Sequence, residues 1–405
     1  MQLNIKASHH PQNLSGIFLL YEGLPPTIIE SQVLSHVRAM DKAGIHIEVW
    51  AFSLKSKTYA EAQENIARFI RDFSVTIRIF KGVSPSFPCS DRLNGLLLFW
   101  LMWKHAARPI FVHARTERAA AIAAFCKHFR PYRLIWDARG DSLSELKTEA
   151  PSRGLTWSWC IYAMKEWITS RRLKVAAQTC DSAIFVSDGL RHLQGPLLAL
   201  DKTLIVPCVA DEQLFYYSPE LRAEVRSAFN YLDQDRVILY AGSTAPWQCI
   251  PETVALIETA LRGHPAFNAL IVTPNIPIFD ATFSPELRPR IRLVSGTLKD
   301  MNRFLHAADF GVLLRKRDAI NKVASPVKFA EYSLTGLTVI CSDAVEQVVE
   351  IGRELCNTIN AETFFSVFVT SGSTPPDRVR IASLAQQLLG RKKYIDVMAR
   401  FYSKP

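Results

Sequence analysis

The residues best suited to chemistry in this sequence lie in one stretch, Ser325-Pro326-Val327-Lys328-Phe329-Ala330-Glu331-Tyr332. It closes at Gly336, before the apolar run Leu337-Thr338-Val339-Ile340. Ser325 suits an N-cap and Pro326 the first helical position. Gly336 suits the C′ position, where a positive φ is often required. The stretch therefore predicts a short helix that starts with free N–H groups and leads into a buried strand. Such a helix start attracts anions, and Lys328 in the first turn adds a positive charge. Glu331 lies one turn after Val327 on the same face. A carboxylate there can accept both hydroxyls of a ribose whose diphosphate lies at the helix start. The spacing fits a nucleotide-diphosphate sugar held at both ends.

Further candidates follow strand-like runs. Tyr240-Ala241-Gly242-Ser243-Thr244 places Gly242 after a strand, where backbone can approach a ligand closely, and Ser243 where its hydroxyl can donate to phosphate. Earlier in the chain, His113 and Arg115 end one strand-like run, and Asp137, Arg139 and Asp141 end the next. Both sets are expected at the ligand-binding end of a parallel sheet. Arg139 suits an anionic acceptor or a phosphate, and Asp137 a sugar hydroxyl. With His113 they form the candidate catalytic set. Glu22-Gly23-Leu24-Pro25-Pro26, with His9 and His10 on the other side of the first strand, reads as an acceptor loop. Glu22, Gly23, Arg115 and Asp141 are the acceptor candidates. The chain contains no G-x-G-x-x-G and no G-x-x-x-x-G-K-[ST], which argues against dinucleotide and P-loop binding. It contains no H-E-x-x-H or G-x-S-x-G either.

The elements that must position these groups alternate. Strand-like runs at 17–20, 45–50, 75–80, 110–112, 132–136 and 182–186 are separated by helix-like ones at 28–43, 59–72, 91–105 and 117–129. A second series of strand-like runs covers 203–206, 237–240, 269–272, 291–294, 310–314 and 338–340. Repeated β-then-α units predict α/β domains with parallel, doubly wound sheets. The expected organisation is an acceptor domain over 1–200, a nucleotide-sugar domain over 201–376, and a final helix over 377–405 that crosses back to the first domain.

The chain has 405 residues, enough for two cores, and 48% of them are hydrophobic. Its formal charge of +10 favours an anionic partner, whether nucleotide sugar, anionic membrane surface or nucleic acid. Nothing in it reads as a nucleic-acid motif. The eight cysteines are scattered, without a C-x-x-C, and the 1–6 start lacks a continuous apolar segment. The expectation is a cytoplasmic chain with reduced thiols. Leu93 to His105, with Trp100, Trp103 and Lys104, and the Trp/Lys/Arg-rich stretch 157–174 equally suit a membrane interface and a core helix with basic ends. Peripheral attachment at the inner face of a membrane follows from the first alternative. No carboxylate cluster has metal-ligand spacing, so no metal and no cofactor are expected.

In order, Gly242-Ser243, Trp247-Gln248, Arg315-Lys316-Arg317, Asn321, and Ser325 to Tyr332 with Gly336 resemble the GT-B glycosyltransferases of family 4. The nearest likeness is a bacterial branch with Gly-Ser…Trp-Gln and Ser-Pro-x-Lys-Phe-x-Glu-Tyr. The likeness spans the second domain. It extends loosely to the first through Glu22-Gly23, His113-Ala114-Arg115 and Asp137-Ala138-Arg139-Gly140. Val206-Pro207-Cys208-Val209-Ala210-Asp211 stands in place of the family's Pro-Asn-Gly-Val-Asp segment. The resemblance implies two Rossmann-like domains facing a cleft. It implies a ribose on Glu331, a diphosphate at Ser325 to Lys328, and Arg315 beside it. It implies transfer of a sugar, with retention and without metal, to a glycan or lipid-linked glycan in surface polysaccharide synthesis. Three positions depart from the family pattern. Val323 replaces a frequent Glu, Ser243 and Trp247-Gln248 stand where a basic pair usually clamps phosphate, and Asp137 replaces a frequent His. A nucleotide-sugar epimerase of the same architecture and a non-catalytic partner subunit that binds a glycan or a transferase are the competing readings.

Overall fold

The computed structural model describes residues 14–21, 29–53, 56–84, 87, 89–148, 150, 157–196 and 198–404. The first sheet contains β1 (Leu14–Leu20), β2 (Ile45–Ser53), β3 (Ile77–Lys81), β4 (Phe111–Arg115), β5 (Arg133–Ala138), β6 (Ser182–Phe185) and β7 (Thr203–Ile205), in the order β3-β2-β1-β4-β5-β6-β7. The second contains β8 (Arg236–Ala241), β9 (Phe267–Val272), β10 (Ile291–Val294), β11 (Phe310–Leu313), β12 (Thr338–Cys341) and β13 (Thr358–Ile359), in the order β10-β9-β8-β11-β12-β13. Every pairing is parallel. Strands covered on both faces read as continuous apolar runs, and Phe18-Leu19-Leu20 and Val237-Ile238-Leu239-Tyr240 are buried in that way. Four cores result, one on each face of each sheet. Among the described residues no helix is long and apolar enough to cross a membrane.

Several expectations are corrected. Residues 203–205 do not open the second series. They pair with β6 and form the edge of the first sheet, so the chain crosses between sheets after them. Periodicity alone could not assign this short run to either sheet. The helix expected over 28–43 begins as a π-helix, Ile29–Leu34, before the α-helix Ser35–Lys42. The last segment is two helices, Arg378–Leu389 and Arg391–Ser403, broken at Gly390. At the break, Ala210 of the interdomain segment bridges Gly390, and Glu212 accepts from the backbone N–H groups of Arg391 and Lys392 at 2.8 and 3.0 Å. The chain's two crossings therefore run side by side. The Arg391–Ser403 helix buries Met398, Phe401 and Tyr402 in the first-sheet core beside Phe18 and Phe111. Arg133 holds its end by donating to the Phe401 carbonyl at 2.7 Å.

Each sheet has one switch point, where the strand order reverses and the loops part: between β1 and β4 in the first, between β8 and β11 in the second. In open parallel sheets the crevice at the carboxyl ends of those strands binds ligands. The helix Val327–Leu334 lies over the second crevice. Its Tyr332 hydroxyl accepts from the Ala241 N–H at 3.2 Å, and its ring crosses β11 where Gly311 has no side chain. The helix ends as predicted, on Gly336 at φ +73°. A Cβ there would also run into the Arg378 backbone. The left-handed backbone alone costs an L-residue roughly 1–2 kcal/mol. Gly336→Ala is expected to lower the melting temperature by several degrees, and an unchanged melting temperature would contradict this account of the helix end.

Candidate functional site

The second-domain group is built around a buried carboxylate. Glu331 is 2% exposed, and Lys328, one turn earlier, donates to its Oε2 at 2.8 Å. Glu331 is therefore a core carboxylate and not a surface one. The helix begins one residue later than its sequence suggested. Pro326 is the cap residue, and Ser325 does not cap. The Ser325 hydroxyl instead accepts from the N–H of Cys208, in the segment that joins the domains, at 2.8 Å. At the end of β8, Tyr240 donates to the Ser243 carbonyl at 2.6 Å and folds the Gly242-Ser243 turn back over the strand. Arg315, just after β11, is tied to β12, because its N–H donates to the Ser342 hydroxyl at 3.0 Å. Burial pulls the Arg315 guanidinium pKa down, and Tyr240, Cys249 and Tyr332 beside it push the other way. The Arg315 guanidinium donates to the Leu314 carbonyl at 2.8 Å.

The first-domain group converges more tightly than its sequence spacing showed. His113 Nε2 lies 3.2 Å from Asp137 Oδ2, Arg139 lies 3.5 Å from Oδ1, and Arg115 lies 4.0 Å from Oδ2. Both arginines donate to the Gln32 side-chain oxygen at 2.9 Å. Burial pushes the Asp137 carboxyl upward, but Arg139, His113 and Arg115 outweigh it and hold the group below the usual carboxylate range. Asp137 is an anion at neutral pH. The His113 ring is then oriented by its partners. His113 Nε2–H faces Asp137, the Tyr402 hydroxyl lies 2.7 Å from His113 Nδ1, and His36 Nε2 lies 2.8 Å from the same hydroxyl. The ring of Phe18 stacks on His113 at 4.1 Å.

The set was expected to open to the cleft. His113 and Asp137 are instead 2 and 3% exposed, and with Arg139 they line a cavity of about 60 Å³ against Val206 to Val209. Asp141 stands apart. It is buried, accepts from the Ser144 N–H at 3.3 Å and starts the helix Ser142–Thr148. Glu22 and Gly23, like His9 and His10, lie outside the described residues. Gln32, His36, Cys208 and Tyr402 were missed. Only Cys208 carried a signal, through the family segment it occupies. It is the junction of the two groups: Arg139 donates to its sulfur at 3.1 Å while its own N–H holds Ser325. Nearby, Ser187 donates to the Val323 carbonyl at 2.6 Å and Gln347 to the Val186 carbonyl at 2.7 Å, so the carboxyl ends of the two sheets meet.

Two parallel α/β sheets with their carboxyl ends facing define the GT-B fold. Anabaena HepE (Alr3699), solved in complex with UDP, superposes at a TM-score of 0.68 over 96% of this chain and 100% of its own, at 13% identity. Sucrose-phosphate synthase (tll1590) from Thermosynechococcus elongatus does so at 0.67 over 96% and 98%, at 15% identity. WaaG, a glycosyltransferase involved in lipopolysaccharide biosynthesis, does so at 0.62 over 97% and 100%, at 12% identity. No protein-family model and no curated protein matches the sequence.

Two histidines, the half-buried His36 and the buried His306, make stability depend on pH. Burial first, then the neighbouring His113 and Arg391, lower His36 to about 3. His306 in the second domain accepts from the Ser218 N–H at 2.9 Å, and burial lowers it to about 4. A histidine with a folded pKa below its unfolded value stabilises the fold above pH 6.5. That contribution falls as the pH drops, because only the unfolded chain takes the proton. Between pH 7 and pH 5 each of the two should cost about 2 kcal/mol. Urea unfolding at both pH values should show this loss, and His36→Gln should remove about half of it. A flat profile from pH 7 to 5 would contradict the assignment.

Proposed function

We propose that this chain is a glycosyltransferase, similar to family 4, that moves a sugar from a nucleotide-diphosphate donor to a glycan or lipid-linked glycan. The observation that carries this reading is the pairing of buried Glu331 with the half-buried Lys328 at the switch point of the second sheet. Glu331 accepts the ribose hydroxyls. Lys328 turns from the carboxylate to the diphosphate when the donor enters. The helix start, Lys328 and Arg315 stabilise the negative charge that develops on the leaving diphosphate, without a divalent ion. The neighbours named as bound to UDP or as lipopolysaccharide glycosyltransferases support a uridine donor and surface-polysaccharide synthesis.

The first domain supplies the acceptor side. In this reading Arg139, held by Asp137 and touching Cys208, faces the acceptor. Closure of the two domains excludes water and limits donor hydrolysis. The anomeric configuration is retained in this reading.

Incubation with UDP-, GDP- and ADP-sugars, with and without glycan acceptors, tests the proposal. Acceptor-dependent release of free nucleotide is expected. Conversion of the sugar without any acceptor would indicate an epimerase, and binding without turnover a partner subunit. Arg139→Ala should slow transfer by about 10²–10³-fold, as losing a charge-stabilising group does, while nucleotide affinity by calorimetry stays within about two-fold because the second domain holds the nucleotide. Lost nucleotide affinity with normal transfer at saturating donor would reverse the domain assignment.

A further inference from the structure

The helix Ser90–Lys104 is apolar on both sides. Leu98, Leu101 and Met102 are buried in the first-domain core. Leu93, Leu96, Trp100 and Trp103 recur at spacings of three and four residues and are 43, 46, 47 and 70% exposed. A surface helix of a globular domain ordinarily keeps polar residues on its outer side. Among the described residues nothing covers this stripe, and an exposed apolar patch of this kind marks an interaction surface.

The helix Trp157–Thr179 extends the surface. Arg172 and Asp91 pair at 2.7 Å and lock the two helices into one platform. Between them the helix Thr116–Lys127 floors a groove of about 620 Å³, with Phe129 and Trp167 on its walls, 52 and 55% exposed. Cations surround this apolar surface: Arg92, Lys104, Lys165, Arg171 and Lys174 are all exposed. Two of them sit against the exposed indoles. Lys104 Nζ lies 5.0 Å from the Trp100 ring centre, and Arg171 Cζ lies 5.6 Å from that of Trp167. Protein–protein interfaces are depleted in lysine. Tryptophan alternating with lysine and arginine is the composition of a surface that rests at the water–lipid boundary. There the indole sits at headgroup depth and the cation meets an anionic headgroup.

We infer that the face formed by the helices Ser90–Lys104 and Trp157–Thr179 docks on an anionic lipid bilayer, with Trp100 and Trp103 entering the headgroup layer. The inference rests on surface composition and geometry alone, so it stands or falls apart from the transfer reaction. Co-sedimentation of the full chain with vesicles tests it. Binding is expected to vesicles containing anionic phosphatidylglycerol, at least ten-fold more strongly than to pure phosphatidylcholine. The difference should shrink at 0.5 M salt, because exposed charges are screened. Trp100→Ser with Trp103→Ser, and separately Lys104→Glu with Arg171→Glu, should each lower binding more than ten-fold. Leu232→Ser, an equally exposed apolar site in the second domain, should leave binding unchanged. Circular dichroism checks that each variant is folded. Equal binding to both vesicle types, no binding, or full binding by either folded double variant would overturn the proposal. So would a protein–protein association that the Trp100/Trp103 variant abolishes while vesicle binding persists.

Discussion

A carboxylate removed from water needs a cation within reach, and Glu331 has one only because Lys328 precedes it by three residues on the same helix. Removing Lys328, whose own side chain is 27% exposed, would strand the buried Glu331 charge. The pair therefore constrains what surrounds it. The helix must start at Val327 to bring the two side chains together, and it must end at Gly336 so that β12 can enter the sheet. Tyr332 must lie flat on β11, which Gly311 permits, and its hydroxyl must meet the Ala241 N–H. These contacts fix the helix over the one crevice of the second sheet where the loops diverge. Under the proposed function the pair exchanges: a ribose on the carboxylate and a phosphate on the ammonium would replace one ion pair by two charge-assisted contacts.

The first domain solves a similar problem with more partners. Asp137 is buried among two arginines and a histidine, and the histidine is backed by Tyr402 from the far end of the chain. The network joins β4, β5, the 29–42 helical segment and the last helix. The position of Asp137 and Arg139 thus depends on that last helix being docked. Cys208 then connects Arg139 to Ser325 across the domains. The start of the helix Val327–Leu334 is thereby held to the first domain.

Much of this was legible in the sequence, for physical reasons. Strands of a parallel sheet are apolar throughout, so runs such as 237–240 and 269–272 announced themselves. The Ser-Pro…Glu…Gly spacing identified the helix over the second crevice because caps, charges and the left-handed glycine are local features. Local signals failed where the outcome depended on distant partners. The edge strand Thr203–Ile205 has no pattern that assigns it to either sheet. Ser325 has the residue type of a cap, but the Cys208 N–H competes for its hydroxyl. His36 and Tyr402 are separated by 366 positions, and nothing in either neighbourhood signals that they share a hydrogen bond. The burial of His113 and Asp137 was hidden for the same reason.

The central claim is that Glu331 binds the ribose of the donor nucleotide. It is tested most directly by a thermodynamic cycle between the carboxylate and the ribose hydroxyls, measured by calorimetry. UDP and 2′,3′-dideoxy-UDP are titrated into the wild-type protein and into Glu331→Ala. The wild-type protein should prefer UDP by about 1.5–3 kcal/mol, the worth of hydrogen bonds to a charged acceptor. The variant should bind both nucleotides equally and as weakly as the wild type binds the dideoxy form. The same preference for UDP in both proteins would show that the ribose lies elsewhere.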